Sequence, residues 1–220
     1  MNKLMCLFFI NQLFCSPDIP YIYNNIKVLN YYNHGWCGSS NQIKLEEFIK
    51  NYNPEIIVEL GSWMGSSTIF MAQKSSPSCK VYAIDTWLGS LEHNKTAELK
   101  KYLPTLFHQF LSNVLSMKQE HKIIPMRMST VEAAQILNFN NIDLLYIDAS
   151  HQEDDVYKDI VNWWPKIKDS GMMCGDDFQL SGVKNAIKKA MVELRIPETC
   201  FHSFGKVWWF DTKNIIYSSN

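Results

Sequence analysis

Four apolar runs in this chain end in or beside carboxylates. Glu59 interrupts Ile56 to Leu60, Asp85 closes Lys80 to Asp85, Asp148 closes Ile142 to Asp148, and Gly171 to Gly175 leads into Asp176-Asp177. Gly61 and Gly65 frame a tight turn just after the first run, and His151 follows Asp148 by three residues. A glycine turn lets a backbone come close to a ligand. Asp85 lies about twenty residues beyond Gly65, the offset at which a carboxylate reaches a ribose hydroxyl across a crevice. His151 is a candidate general base, because imidazole accepts a proton at neutral pH. Each feature has a blander reading. The acids could be polar strand ends beside helix N-termini, with Asp177 capping a helix and Asp148 facing water, and His151 could be a surface histidine in a loop.

The elements that must position these residues alternate. Ile56 to Leu60 is short, apolar and bounded by Pro54 and Gly61, the pattern of a strand buried on both faces. Ser66-Ser67 then opens an apolar run suited to a helix. Further strands are expected at Lys80 to Asp85, His121 to Met128, Ile142 to Asp148 and Gly171 to Gly175. Ser129-Thr130-Val131-Glu132 has capping-box spacing for a helix through Leu137. Glu153-Asp154-Asp155 puts negative charge at the start of the next helix, which ends by Pro165. Asn41 or Ser40 is the expected cap of a helix over Gln42 to Asn51. Lys95 to Met117 is amphipathic and interrupted at Pro104, and Val183 to Leu194 is a last helix. Cys200 to Phe204 and Val207 to Phe210, joined by Gly205-Lys206, form a terminal hairpin. Such alternation predicts an α/β fold with a mostly parallel sheet and an antiparallel edge.

Composition narrows the function classes. The 220 residues fit one domain with a full core, and 46% hydrophobic against 20% charged residues is a globular balance. A net charge of −1 without a basic block gives no nucleic-acid footprint. Six scattered cysteines without CxxC spacing are read as reduced thiols, in keeping with a cytoplasmic protein. The apolar stretch Leu4 to Ile10 is signal-like, but no small-residue cleavage site precedes Pro17, and it is too short to span a bilayer. Residues 1–33 are therefore treated as an N-terminal extension and 34–220 as the functional domain. A nicotinamide site is disfavoured, because Trp63 stands where G-x-G-x-x-G needs its middle glycine.

Taken together, Gly35-Trp36-Cys37, Val58 to Ser67, Ile84-Asp85-Thr86-Trp87-Leu88-Gly89, Asp148-Ala149-Ser150-His151, Asp159 to Pro165 and Gly175-Asp176-Asp177 carry a resemblance. The chain resembles the class I S-adenosylmethionine (SAM)-dependent methyltransferases, in the group similar to macrolide-sugar O-methyltransferases and cephalosporin-hydroxylase-like proteins. The resemblance covers about residues 34 to 212. It implies a Rossmann-like doubly wound sheet of seven strands, order 3-2-1-4-5-7-6, with strand 7 antiparallel. The cofactor set it implies is Glu59, Gly61, Ser62, Gly65, Asp85 and Ser129, with Gly61 under the methionine moiety, Asp85 on the ribose and Ser129 by the adenine. It implies a divalent ion at Asp148, Asp176 and Asp177. The all-oxygen donors favour Mg2+ or Ca2+ over zinc, and Mg2+ is the expected ion. Asp148 and His151 are the catalytic pair. Met64, Ser170-Gly171 and Glu153 depart from the family's usual residues at their positions.

The expected activity is methyl transfer from SAM to a hydroxyl of a small acceptor, a sugar or sugar-bearing metabolite, with a homo-oligomer left open. The rival readings are a metal-independent SAM methyltransferase and a non-catalytic SAM-fold binding module. Trp163, Trp164, Trp208 and Trp209 are assigned to packing, and the loop residues Trp36 and Trp87 to a substrate wall.

Overall fold

The computed structural model describes residues 20–24, 26–32, 34–35, 37–90 and 96–212. The signal-like stretch and Trp36 lie outside them. Strands β1 (Ile56–Leu60), β2 (Lys80–Asp85), β3 (Ile123–Arg127), β4 (Ile142–Ile147), β5 (Ile167–Gly175), β6 (Phe201–Phe204) and β7 (Val207–Asp211) build one sheet. Its order is β3-β2-β1-β4-β5-β7-β6. The first five strands in that order pair in parallel, and β7 runs antiparallel to both β5 and β6. This is the expected doubly wound topology, terminal hairpin included. Pro125 sits inside β3 without breaking the sheet because β3 is an edge strand, with one side needing no ladder donor.

Among the described residues, seven α-helices join or flank these strands: α1 (Ser39–Tyr52), α2 (Ser66–Lys74), α3 (Ala97–Lys100), α4 (Leu106–Ser116), α5 (Thr130–Ile136), α6 (Glu153–Trp163) and α7 (Ser181–Leu194). Side chains alternate across each strand, so β1 divides its residues between two cores. Val58 and Leu60 join Leu145, Ile147, Ile160, Trp163 and Val183 on the α5–α6–α7 face. Ile57 joins Leu144, Tyr146, Leu45, Phe48, Ile69 and Phe110 on the α1–α2–α4 face. Trp163, Trp164 and Trp208 are buried in the first core, and the partly buried Trp209 packs against the second, as expected.

One helix start differs from the sequence expectation. α1 begins at Ser39 with Gly38 as its N-cap and no side-chain cap. Asn41 is buried, and its amide donates to the Tyr146 hydroxyl at 2.9 Å instead. The Ser129 cap is found as expected, its side chain accepting from the Glu132 amide at 3.1 Å. Among the described residues no helix is long and apolar enough to cross a membrane.

Candidate active site

All the strand-end acids lie at the carboxyl edge of the sheet, where an open α/β sheet forms its crevice. A cavity of about 540 Å³ opens there, within the range of small-molecule sites. Gly61, Ser62, Trp63, Asp85, Ser129, Asp148, His151 and Asp177 all line it. The chain order of these residues spans most of the domain, and the parallel topology alone gathers them.

The first wall is the turn after β1. Gly61 has φ +87°, and a Cβ there would lie 2.3 Å from the Asp148 carbonyl oxygen and 2.5 Å from the Ala149 Cα. Only glycine lets the end of β4 come this close. The Asp85 carboxylate faces the turn, its Oδ2 accepting from the Ser62 amide at 3.0 Å and the Trp63 amide at 2.9 Å. Its Oδ1 accepts from the Trp87 amide at 2.7 Å. Backbone donors thus fix Asp85 at the cavity wall.

Two residues of the expected cofactor set serve the turn rather than the cavity. Glu59 is fully buried and does not line the cavity, because strand alternation sends it to the α2 face. There it accepts from Ser62 Oγ at 2.6 Å, from Ser67 Oγ at 2.5 Å, and from Thr68 Oγ1. Gly65, at φ +89°, also lies outside the cavity lining, with the Phe110 ring 3.1 Å from where a Cβ would sit. Trp87 is no substrate wall: it is 1% exposed, packs on Phe107 and Phe110, and donates from Nε1 to the Trp63 carbonyl at 2.7 Å. A tryptophan in a loop looked available, yet its indole braces the turn from below.

Burial pushes the Glu59 carboxyl up to about 7, although the three hydroxyls oppose the shift. The folded state therefore favours the protonated form. The stability this group contributes is full below about pH 4.5 and is lost as pH rises through about 7, an effect of about 3 kcal/mol at most. Melting temperature followed from pH 5 to 8 should fall with pH more steeply in the wild type than in Glu59→Gln. Equal slopes would show that Glu59 keeps an ordinary pKa.

The second wall holds the acid cluster. Ligand atoms of Asp148, His151 and Asp177 all lie within 4.8 Å of one another. His151 Nε2 is 2.7 Å from Asp177 Oδ2, and Lys206 Nζ is 4.0 Å from Asp177 Oδ1. The Asp177 carboxyl is held low, first by the hydrogen bond from His151. Asp148 is pushed well above the usual carboxylate range, by burial first and then by Asp176, Glu59 and Asp177. Asp176 departs from the expected trio. It is 4% exposed and does not line the main cavity, and its Oδ1 has no hydrogen-bond partner among the described residues. Burial raises its pKa as well, while the Asn41 side chain opposes the shift by hydrogen bonding. The side chains gathered at the cavity are thus Asp148, His151 and Asp177, with Asp176 behind them.

Lys206 escaped the sequence reading, which took Gly205-Lys206 only as a hairpin turn. The signal was there. An antiparallel β7 beside β5 returns the β6–β7 turn to the carboxyl edge, where the Phe178 amide donates to the Lys206 carbonyl at 2.9 Å. Asp159, on α6, also lines the cavity, with one buried oxygen unpartnered among the described residues; the sequence reading placed it in the family motif Asp159 to Pro165 but gave it no site role.

Comparison with known proteins agrees with this geometry. Residues 58–178 match the family model described as a methyltransferase domain. An uncharacterized protein y4gI of Sinorhizobium fredii is 25% identical over 164 residues, 71% of this chain but only 17% of that protein. The chain thus spans a small part of that curated relative's length. Among solved structures, the O-methyltransferase NovP superposes with a TM-score of 0.63 at 14% identity, covering 82% of each chain. The O-methyltransferase TomG from Streptomyces achromogenes, involved in tomaymycin synthesis and solved with SAM, gives 0.60 at 10% identity over 79% of this chain and 80% of that one. An O-methyltransferase from Bacillus cereus, solved with S-adenosylhomocysteine (SAH), gives 0.55 at 12% identity over 93% and 96%. At such identities the likeness is one of fold. The family match reaches further, because it spans more than half of the chain and takes in the glycine turn, Asp85 and the acid cluster together. On that ground the chain belongs to the methyltransferase-domain family.

Proposed function

We propose that this protein O-methylates a small hydroxylated acceptor, a sugar or sugar-bearing metabolite, with SAM as donor and Mg2+ as helper. One observation carries the reading: a single cavity joins the Gly61 turn and Asp85 to the Asp148–His151–Asp177 cluster. A donor site and a proton-handling site then share one space, as transfer between two bound molecules requires.

The residues fit both groups. Gly61 lines the cavity where a methionine moiety would lie, its missing Cβ letting the end of β4 close on the turn, Asp85 is fixed to accept from ribose hydroxyls, and Ser129 lines the adenine end. Ser62 contributes backbone and Glu59 holds the turn's shape. Asp148 and Asp177, with the unpartnered oxygen of Asp176 behind them, are hard oxygen donors suited to Mg2+. Burial first, and then the crowding of these acids, raises Asp148 and Asp176, and a divalent cation would relieve the crowding. Bound, the two groups supply an electrophilic sulfonium methyl for in-line displacement and a lowered pKa at the acceptor hydroxyl. The chain's own part is proton transfer: His151 accepts the hydroxyl proton, and the Asp177 carboxylate orients the ring and stabilises the imidazolium that results.

Calorimetry tests the donor site. SAH should bind and NADH should not. Asp85→Ala should weaken SAH by about one to two orders of magnitude, because charge-assisted hydrogen bonds are worth roughly 1.5–3 kcal/mol each. Methyl transfer from labelled SAM to a pool of hydroxylated metabolites should stop with excess chelator and return with Mg2+. Full turnover in chelator would favour the metal-independent reading, and SAH binding without turnover on any acceptor would favour a binding module.

A further inference from the structure

Residues 26–32 run along α4 as a strap without helix or strand structure that pairs with no strand among the described residues. Its peptide groups are satisfied by side chains from one face of that helix, at positions 108, 109, 112 and 113. His108 Nε2 lies 2.6 Å from the Lys27 carbonyl, and Gln109 Nε2 donates to the Asn30 carbonyl at 3.0 Å. The Leu29 amide donates to Ser112 Oγ at 3.0 Å. Asn113 does the most. Its Oδ1 accepts from the Tyr32 amide at 3.0 Å, and its Nδ2 donates to the Tyr32 carbonyl and to the Met64 carbonyl, each at 2.9 Å.

Met64 belongs to the glycine turn. Asn113 is 1% exposed and so sits buried between the strap and that turn, with one amide nitrogen serving both. Beyond the strap, Trp63 Nε1 donates to His34 Nδ1 at 3.2 Å. The turn needs outside support, since Trp63, a non-glycine residue, is held at φ +46°. A strap that leaves α4 strands a buried amide donor, which costs free energy unless the side chain and the turn rearrange.

We propose that Asn113 is a positioning residue coupling strap docking to the shape of the cofactor turn, so that cofactor binding and strap docking stabilise each other. The inference rests on the reading of that turn as the cofactor site. Neither Leu29 nor Tyr32 lines the cavity, so a cofactor slows the exchange of their amides either through such coupling or by stabilising the whole fold, and only the second slows amides throughout the core by the same factor.

Hydrogen exchange on the full chain tests it. With saturating SAH, the Leu29 and Tyr32 amides should exchange about fivefold more slowly or better, the lower end of typical coupling. Ser112→Ala removes the Leu29 acceptor without touching the turn. It should speed strap exchange and, by reciprocity, weaken SAH binding. Asn113→Asp keeps the acceptor for the Tyr32 amide and loses the donor to both the Tyr32 and the Met64 carbonyls. It should weaken SAH by about tenfold or more and abolish the slowing at Leu29, through the loss of two hydrogen bonds at a buried site. If wild type binds SAH while the Leu29 and Tyr32 rates stay unchanged, the coupling is overturned and the cofactor site stands. A Ser112→Ala strap left mostly undocked, its amides exchanging near the unprotected rate, with wild-type SAH affinity also overturns it. These two measurements decide the matter even if Asn113→Asp fails to fold. A wild type that binds no SAH overturns the cofactor reading and the coupling with it.

Discussion

Gly61→Ala should lower SAH affinity by about a hundredfold or more, while Gly65→Ala should cost no more than about tenfold. Both positions have positive φ, so both substitutions carry the left-handed penalty of roughly 1–2 kcal/mol, about a factor of ten. They differ in what the new methyl meets. At Gly65 it meets the Phe110 ring at 3.1 Å, and a side chain can give by a few tenths of an ångström. At Gly61 it meets the Asp148 carbonyl oxygen at 2.3 Å and the Ala149 Cα at 2.5 Å, both backbone. That backbone is pinned, since the Asp148 amide donates to the Leu60 carbonyl at 2.8 Å. Relief at Gly61 must therefore move the turn or the end of β4, and with it the cofactor wall or Asp148. Calorimetry with SAH on the two variants, each checked for folding by its melting transition, separates the contributions. Equal losses would mean that φ alone matters and that the close approach of the two strand ends is unimportant for binding.

The sheet was legible because its signals are local. Short apolar runs, four of the five ending in or beside an acid, mark the parallel strands, and the family motifs give their order. The sharing of the acids between cavity and interior was less legible, although part of it follows from period-two alternation. Glu59 has the parity of Ile57, so it faces α2 and closes on Ser67 and Thr68 instead of the ligand space. Asp176 has the parity of Cys174, whose side chain lies in the same core, and it falls behind the cluster near Asn41 and Tyr146. What no pattern shows is partnership across the fold. Asn113 reads as one polar residue in an amphipathic helix, and only the packed chain sets it between Tyr32 and Met64, residues 81 and 49 positions away. Trp87 was misjudged for a related reason: loop position suggests exposure, but an indole that finds both a carbonyl and two aromatic neighbours goes inside.

His151→Ala should cut kcat by about 10²–10⁴, the usual contribution of a positioned general base, and leave SAH affinity nearly unchanged. His151 lines the cavity beside Asp148, and its Nε2 lies 2.7 Å from Asp177 Oδ2. A hydroxyl oxygen that attacks a methyl group must shed its proton as the new bond forms, and among the cluster residues imidazole is the group suited to take it near neutral pH. Asp177 is less suited, since a carboxyl held low by its hydrogen bond from His151 keeps little affinity for a proton. Its role is to hold the ring and to offset the charge the ring acquires, so Asp177→Asn should also lower kcat. Because Asp177 is in addition a proposed Mg2+ donor, that variant alone should need more Mg2+ for half-maximal rate. The two variants thus separate proton transfer from cation binding. In the wild type, the rate should fall on the acid side as the imidazole takes up a proton and stops acting as a base. That limb should vanish or move in His151→Ala. The measurements are kcat against pH and against Mg2+ concentration, with SAH affinity by calorimetry as the control for an intact donor site. A His151→Ala enzyme within a few-fold of wild-type kcat, with an unshifted acid limb, would remove His151 from the chemistry and leave it a structural partner of Asp177.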